Sequence, residues 1–463
     1  MKSTGGKLTR GELSTGFQDI STDSRTVRSG ELFIALKGEH YDGHDFLPQA
    51  VKRGATGLLI QNASPLLRTL PPPEADRKEP VVIEVNDTLY ALGQISHYWR
   101  KMHPISLAAI TGSNGKTTTK EMLAGILEHS YNVLKTEGNL NNLVGVPLTL
   151  LRLSAEHEIA VLELGTNQPG EITRLTEITE PQVGVITNVS DSHLEFLKTK
   201  EGVARAKGEL FHTLRTGSTA VFNADDPSVA ALADSYPGNK LSFGIKSPAD
   251  VRAGDIFSRG TKGTKFKLIT RDGRISLNLA VPGITNVYNA LAASAVALIF
   301  NTELRTVKKA LEKFTSFPGR MEIIHLDKGI YLLNDTYNAN PESMKESLNT
   351  LSNLGKDGRT IAVLADMLEL GETAEASHRQ LGRTVADLDI DLLFVTGQWA
   401  EAVISGAKEK GMNNKSVSIG IDHKEIVRQL KETVRNGDWI LVKGSRKMRM
   451  ERIVDSLSGK RGS

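Results

Sequence analysis

The 463-residue chain contains no cysteine. Disulfides and thiolate metal sites are therefore excluded, a composition that fits a reducing compartment. Neither sign of charge dominates, with 57 Lys and Arg against 54 Asp and Glu and a net charge of +3. That balance carries no electrostatic footprint for a nucleic acid or a membrane surface. The basic group Arg446-Lys-Met-Arg449 is small enough to be a local anion site or a solvated face. Long apolar runs are missing too. The longest, residues 290–300, is too short to cross a bilayer and carries Ser294, so no membrane insertion is expected. The opening Met1-Lys-Ser-Thr-Gly-Gly-Lys7 lacks the apolar core of a signal peptide, and a cytoplasmic location is expected. Internal repeats and low-complexity segments are also absent. What remains is an ordinary globular composition, 39% hydrophobic and 24% charged, over a length that suggests about three domains.

The most informative stretch is Thr111-Gly-Ser-Asn-Gly-Lys-Thr-Thr-Thr119. An apolar run, residues 105–110, precedes it and reads as a buried strand. Met122, Leu123, Ile126 and Leu127 follow at helical spacing. Strand, glycine loop, Lys-Thr and helix together make the context of a phosphate-binding loop. Glycines let successive N–H groups turn inward at an anion, and the helix N-terminus adds partial positive charge. Lys116 can reach the outer phosphates, and the Thr117 hydroxyl can hold Mg²⁺. Ile110 stands where the common pattern has its first glycine, so this is a shortened variant.

Other segments alternate between strand and helix patterns, which indicates an α/β protein. Strands are expected at 31–36, 57–60 and 81–85, with a polar, proline-rich loop at 70–80 and a helix at 89–101. Further strands are expected at 159–164, 182–187 and 219–223, with helices at 171–179 and 201–214. Residues 253–281 read as hairpin-like, turning at Arg271-Asp-Gly-Arg274, before an apolar helix at 286–299. Beyond Phe317-Pro-Gly-Arg320, strands at 331–334, 360–364, 392–395 and 439–442 suggest another open sheet. The expected division is 1–86, 87–316 and 317–463.

Several residues carry chemistry at strand ends, where open α/β sheets bind ligands. Glu163 is a strand-end carboxylate suited to Mg²⁺, or else a solvated acid. By pattern alone His193 reads first as a loop residue in water, and Lys207 as a surface lysine on a helix. The amide cluster Asn139-Leu-Asn-Asn142 is either a polar binding loop or a turn. Asp335 lies at a strand's carboxyl end, and Arg320 follows a Pro-Gly turn from which it could hold a phosphate or stack on a base.

Taken in order along the chain, these segments resemble the Mur ligases. The likeness is carried by the glycine loop, Glu163, His193, Ala206-Lys-Gly-Glu209, Pro318-Gly-Arg320 and Asn334-Asp-Thr-Tyr-Asn-Ala-Asn-Pro341. Asp23-Ser-Arg25, Asp366-Met-Leu-Glu-Leu-Gly371, His378 and Val442-Lys-Gly-Ser-Arg446 belong to the same pattern. One small departure is Ala365, where glycine is expected. The resemblance implies an N-terminal α/β substrate domain that binds a UDP-linked substrate. It also implies a central P-loop ATPase domain, a parallel sheet with an antiparallel extension, and a C-terminal Rossmann-like ligase domain. The implied reaction is ATP-dependent joining of D-Ala-D-Ala to UDP-MurNAc-tripeptide through an acyl phosphate, in peptidoglycan synthesis, by a monomer. By the same resemblance Gly112, Ser113, Asn114, Gly115, Lys116, Thr117 and Thr118 wrap the ATP phosphates. Thr117 and Glu163 hold one Mg²⁺, and His193 with a carbamylated Lys207 holds a second. Lys116, Glu163, His193 and Lys207 are the implied catalytic set. Asn286 and Asn289 lie near the adenine, Arg320 and Asp335 contact the nucleotide, and Ser24 and Arg25 serve the uridine-diphosphate pocket. The rival readings are a sibling Mur or folylpolyglutamate-type ligase and, from another class, a P-loop switch ATPase that forms no bond.

Overall fold

The computed structural model describes residues 2–61 and 79–459. Most of the proline-rich loop expected at 70–80 lies outside the described residues. The chain forms two compact units. The first comprises Met1–Leu107, Asn132–Leu164 and Thr173–Pro181, and the second Ala108–Tyr131, Gly165–Ile172 and Gln182–Ser463.

In the first unit, a five-stranded sheet runs in the order Lys7–Arg10, Val81–Val85, Gly57–Gln61, Glu31–Ile34, Asp19–Ser21. All neighbours are parallel except the Lys7–Arg10 edge. The period-2 alternation of a strand sends Phe33, Leu58, Ile60 and Val82 to one face, against Leu47 and Ala50. Leu32, Ile34, Leu59 and Ile83 go to the other, against Ala91 and Leu92 of the helix Thr88–Met102. Each such fully buried aliphatic side chain contributes roughly 1.5–3 kcal/mol. Asp87 caps that helix by accepting a hydrogen bond from the Tyr90 N–H at 2.8 Å. The strands Val133–Lys135 and Ile159–Glu163 of this unit pair in parallel.

The second unit holds two sheets. In one, Ser106–Thr111 (from Ala108 on), Val183–Ile186, Thr219–Asn223, Asn239–Gly244 and Val251–Ser258 lie side by side in parallel. Thr264–Thr270 and Gly273–Leu279 extend it antiparallel, joined by the turn expected around Asp272. The apolar helix Ile284–Ile299 packs against this sheet. The other sheet has the order Glu322–His325, Tyr331–Asp335, Trp439–Lys443, Thr360–Ala365, Leu392–Thr396, Val417–Ile419, with only the first pair antiparallel. Its core gathers Leu332, Ile361, Val363, Ile440 and Val442 under Ile426, Leu430 and Ile453. In a parallel sheet all carboxyl ends share one rim, so Asp335, Ala365 and Lys443 end their strands on the same side.

Six strands depart from the expected set: Lys7–Arg10, Asp19–Ser21, Val133–Lys135, Asn239–Gly244, Glu322–His325 and Val417–Ile419. Most are short, and Lys7–Arg10 and Asn239–Gly244 carry mainly exposed or half-exposed residues, so they leave no apolar run to read. Among the described residues, no helix is long and apolar enough to cross a membrane.

Candidate nucleotide site

The phosphate loop follows the strand Ser106–Thr111, and its two glycines are required by geometry. Gly112 has φ +148°, and a Cβ there would lie 1.9 Å from Thr187 Oγ1. Gly115, at φ +80°, caps the helix Lys116–Leu127, and its Cβ would lie 2.2 Å from Asn289 Oδ1. Only glycine fits either position without strain.

The segment after the next strand bolts this loop in place. Ser113 N–H donates to Asn188 O at 2.9 Å, and Ser113 Oγ–H to Ser190 O at 3.0 Å. Asn114 N–H donates to Asn188 Oδ1 at 2.9 Å, while its carbonyl accepts from Thr187 Oγ1 at 2.7 Å and Asn188 Nδ2 at 3.0 Å. Lys116 Nζ donates to Gly112 O at 2.6 Å. Asn289 is buried against the loop, donating to Asn286 Oδ1 at 3.3 Å and accepting from Thr119 Oγ1 at 3.4 Å. The two asparagines expected near the adenine therefore meet each other, and Asn289 meets the loop.

Two contacts bring the last sheet's region onto this loop, and a third joins it to the segment at His193. Arg320 Nη2 donates to Thr117 Oγ1 at 2.9 Å. Asn340 Nδ2 donates to Asn114 Oδ1 at 2.8 Å, and the Asn340 side chain also caps the helix Pro341–Leu354. Glu369 Oε2 lies 2.6 Å from His193 Nδ1, and its carbonyl accepts the Glu195 N–H at 3.0 Å. The side-chain contact is an ion-pair approach without hydrogen-bond alignment. Contact with His193 holds the Glu369 carboxyl below its usual range and outweighs burial, which acts in the opposite direction.

Asp335 is anchored inside its own sheet. Its carboxylate pairs with Lys443, accepts from Ser347 Oγ at 2.6 Å and accepts from Met321 N–H at 3.1 Å. Its visible work is to fix the backbone next to Arg320. Lys207, on the helix Lys200–Thr213, is 2% exposed, so a surface lysine is ruled out. Burial, with repulsion from Lys116 added, holds its amine well below the usual lysine range.

In the first unit Glu163 ends its strand with a carboxylate that is 3% exposed and accepts from Asn141 Nδ2 at 2.8 Å. One of the loop amides thus orients the strand-end acid. Ser24 is buried and donates to Gln49 Oε1 at 2.8 Å. Arg25 is exposed and pairs with Asp23, whose carboxyl it pulls down to about 2.

The fit to a nucleotide and a cation rests on these features. A cradle that a Cβ would fill suits phosphate oxygens, and a hydroxyl or a carboxylate is a hard oxygen donor suited to Mg²⁺. Among the described residues no group of three or more His, Asp or Glu converges as a metal site.

Family patterns match in three successive blocks. Residues 17–100 match the pattern described as Mur ligase family, catalytic domain. Residues 110–297 match the Mur ligase middle domain, and 319–446 the Mur ligase glutamate ligase domain. The UDP-N-acetylmuramoyl-tripeptide–D-alanyl-D-alanine ligase of Bacillus subtilis is 35% identical over 443 residues, 96% of this chain and 93% of the relative. The chain belongs to the Mur ligase family. Among solved structures, MurF from Acinetobacter baumannii superposes with a TM-score of 0.88 at 33% identity, covering 99% of this chain and 97% of that one. MurF from Thermotoga maritima, solved in complex with ADP, gives 0.82 at 28% identity, with 97% and 99% covered. The three-domain Mur ligase architecture follows, with its three sheets.

For this Mur ligase, sequence reasoning assigned no role to Thr187, Asn188, Ser190, Tyr337, Asn340 or Glu369. The first three sit in Thr187-Asn-Val-Ser-Asp-Ser-His193, directly after a strand end, which is the one local signal that could have marked them. The others act across long sequence separations that no spacing rule reveals.

Proposed function

We propose that the chain is an ATP-dependent amide ligase that joins D-Ala-D-Ala to UDP-MurNAc-tripeptide, giving ADP, phosphate and UDP-MurNAc-pentapeptide. The observation that carries this reading is 35% identity to a ligase of that name across 96% of the chain. The tripeptide carboxylate attacks the γ-phosphorus of ATP, forming an acyl phosphate, and the dipeptide amine then displaces phosphate from the acyl carbon. Lys116 and the N-terminus of the helix it opens stabilise charge on the transferring phosphoryl group. Arg320 adds a guanidinium from the third domain. Acyl phosphates hydrolyse, so contacts such as Asn340 to Asn114 serve to keep the third domain against the loop and exclude water.

Thr117 and Glu163 are proposed to hold Mg²⁺, which when bound neutralises charge on the phosphates. A second cation near His193 calls for another anionic ligand. Lys207 fits that role as a carbamate, because burial favours the uncharged amine, the form that can add CO₂. Asn286 and Asn289 serve the adenine side, Asp335 sets Arg320, and Ser24 with Arg25 faces the uridine diphosphate. The division 1–86, 87–316 and 317–463 is retained for substrate, ATP and ligase segments, and the setting is the cytoplasm.

The test is a coupled assay with UDP-MurNAc-tripeptide and D-Ala-D-Ala, with mass detection of the pentapeptide. Phosphate release should require both substrates. Robust hydrolysis with neither present, or product formed with a single diamino acid or glutamate instead of the dipeptide, would overturn the reading.

A further inference from the structure

Two cations of the third domain lie over the ring of Tyr337, and one of them, Arg320, reaches the phosphate loop. The Arg320 guanidinium lies 4.1 Å from the ring centroid, and Arg446 lies 5.6 Å away. The backbone around the ring is held on both sides of Arg320. Tyr337 N–H donates to Gly319 O at 3.0 Å, and Met321 N–H donates to Asp335 Oδ1 at 3.1 Å. Thr336, between them, is buried and donates to Asn334 Oδ1 at 2.7 Å. Gly319 itself is at φ +75°, where a side chain would be strained. A flexible arginine is thus laid on an aromatic face that its own turn holds still, and from there its Nη2 reaches Thr117.

We propose that Tyr337 is a positioning residue, a π-platform that fixes the Arg320 guanidinium in register with Thr117 and the phosphate loop. A planar guanidinium matches both partners, since it stacks on the ring through its face and donates through its edge. Preorientation removes rotamer freedom that Arg320 would otherwise lose on meeting phosphate oxygens. An aliphatic side chain at 337 would fill space without holding the cation. The inference rests on the nucleotide role assigned to Arg320 under the ligase reading.

The experiment is a double-mutant cycle read by Mg·ADP affinity and by turnover with both substrates. Tyr337→Leu should weaken affinity and kcat/KM by about 2- to 30-fold, the range for a cation–π contact from exposed to desolvated. Tyr337→Phe, which keeps the ring, should restore both. Adding Tyr337→Leu to Arg320→Ala should cost nothing further. Losses that multiply, or a phenylalanine as poor as leucine, overturn the proposal. Should Tyr337→Leu fail to fold, Tyr337→Trp serves instead: wild-type affinity in it supports the platform, and loss in a folded protein overturns it. If no pentapeptide forms at all, the ligase reading fails, while the affinity cycle still decides the role of Tyr337.

Discussion

Gly115→Ala is the sharpest test of how the phosphate loop is built. Gly115 caps its helix at φ +80°, a region that costs an L-residue roughly 1–2 kcal/mol. The new Cβ would lie 2.2 Å from Asn289 Oδ1, well inside any contact distance, so Asn289 has to move. That amide is buried and tied to Thr119 and Asn286, and a displaced buried amide loses about 1–3 kcal/mol. Together the two effects predict destabilisation of roughly 2–5 kcal/mol, read by equilibrium urea unfolding. Nucleotide affinity should fall as well, because Asn289 and the loop move together. Gly125→Ala supplies an internal control in the same helix. Nothing lies within 4 Å of its Cβ, and replacing this glycine in the helix's last turn should stabilise by up to about 1 kcal/mol. If both variants shift in the same direction, or Gly115→Ala stays within about 0.5 kcal/mol of wild type, the geometric argument is wrong.

Perturbations at three other residues follow from the geometry of the site region. Asp335→Asn leaves the nearly buried Lys443 without its charge partner and should destabilise by about 3–5 kcal/mol in urea unfolding; a shift near zero would mean the pair is solvated. Lys207 has a depressed folded pKa, so between that value and about 10.4 the unfolded chain binds more protons and stability rises with pH. Lys207→Met in CO₂-depleted buffer should therefore be more stable near neutral pH by a margin that vanishes toward the ordinary lysine pKa, and a pH-independent margin counts against the buried-amine argument. In the ligase assay, Lys207→Ala should lose nearly all turnover and recover part of it with added short carboxylates, whereas unchanged turnover would remove Lys207 from the site. Glu369 has a lowered folded pKa, so its contact with His193 should stabilise above about pH 4.3 and fade as pH falls through the lowered value; Glu369→Gln should flatten that acid limb of the stability profile.

Local chemistry was legible where a residue type answers to its immediate neighbours. The glycine loop could be read because only glycine tolerates φ +148° and +80°, and because strand and helix periodicities flank it. The strands Val81–Val85 and Thr219–Asn223 and the helix Glu171–Thr179 were visible for the same reason, as short apolar runs or a helical pattern. Edge strands were not, since their apolar faces are short or half-exposed.

By itself, then, the sequence determined an α/β chain with a glycine loop of the phosphate-binding type at residues 111–119, without disulfides or thiolate metal sites. The tertiary structure alone decided that Lys207 is a buried amine rather than a surface cation. It also decided that Asp335 is spent on Lys443, Ser347 and Met321, that Tyr337 lies under Arg320, and that Asn340 and Glu369 meet Asn114 and His193. Burial and partnership depend on which strand ends share a rim. That is set by sheet order among segments as far apart as Asn114 and Asn340, a separation over which periodicity carries no information.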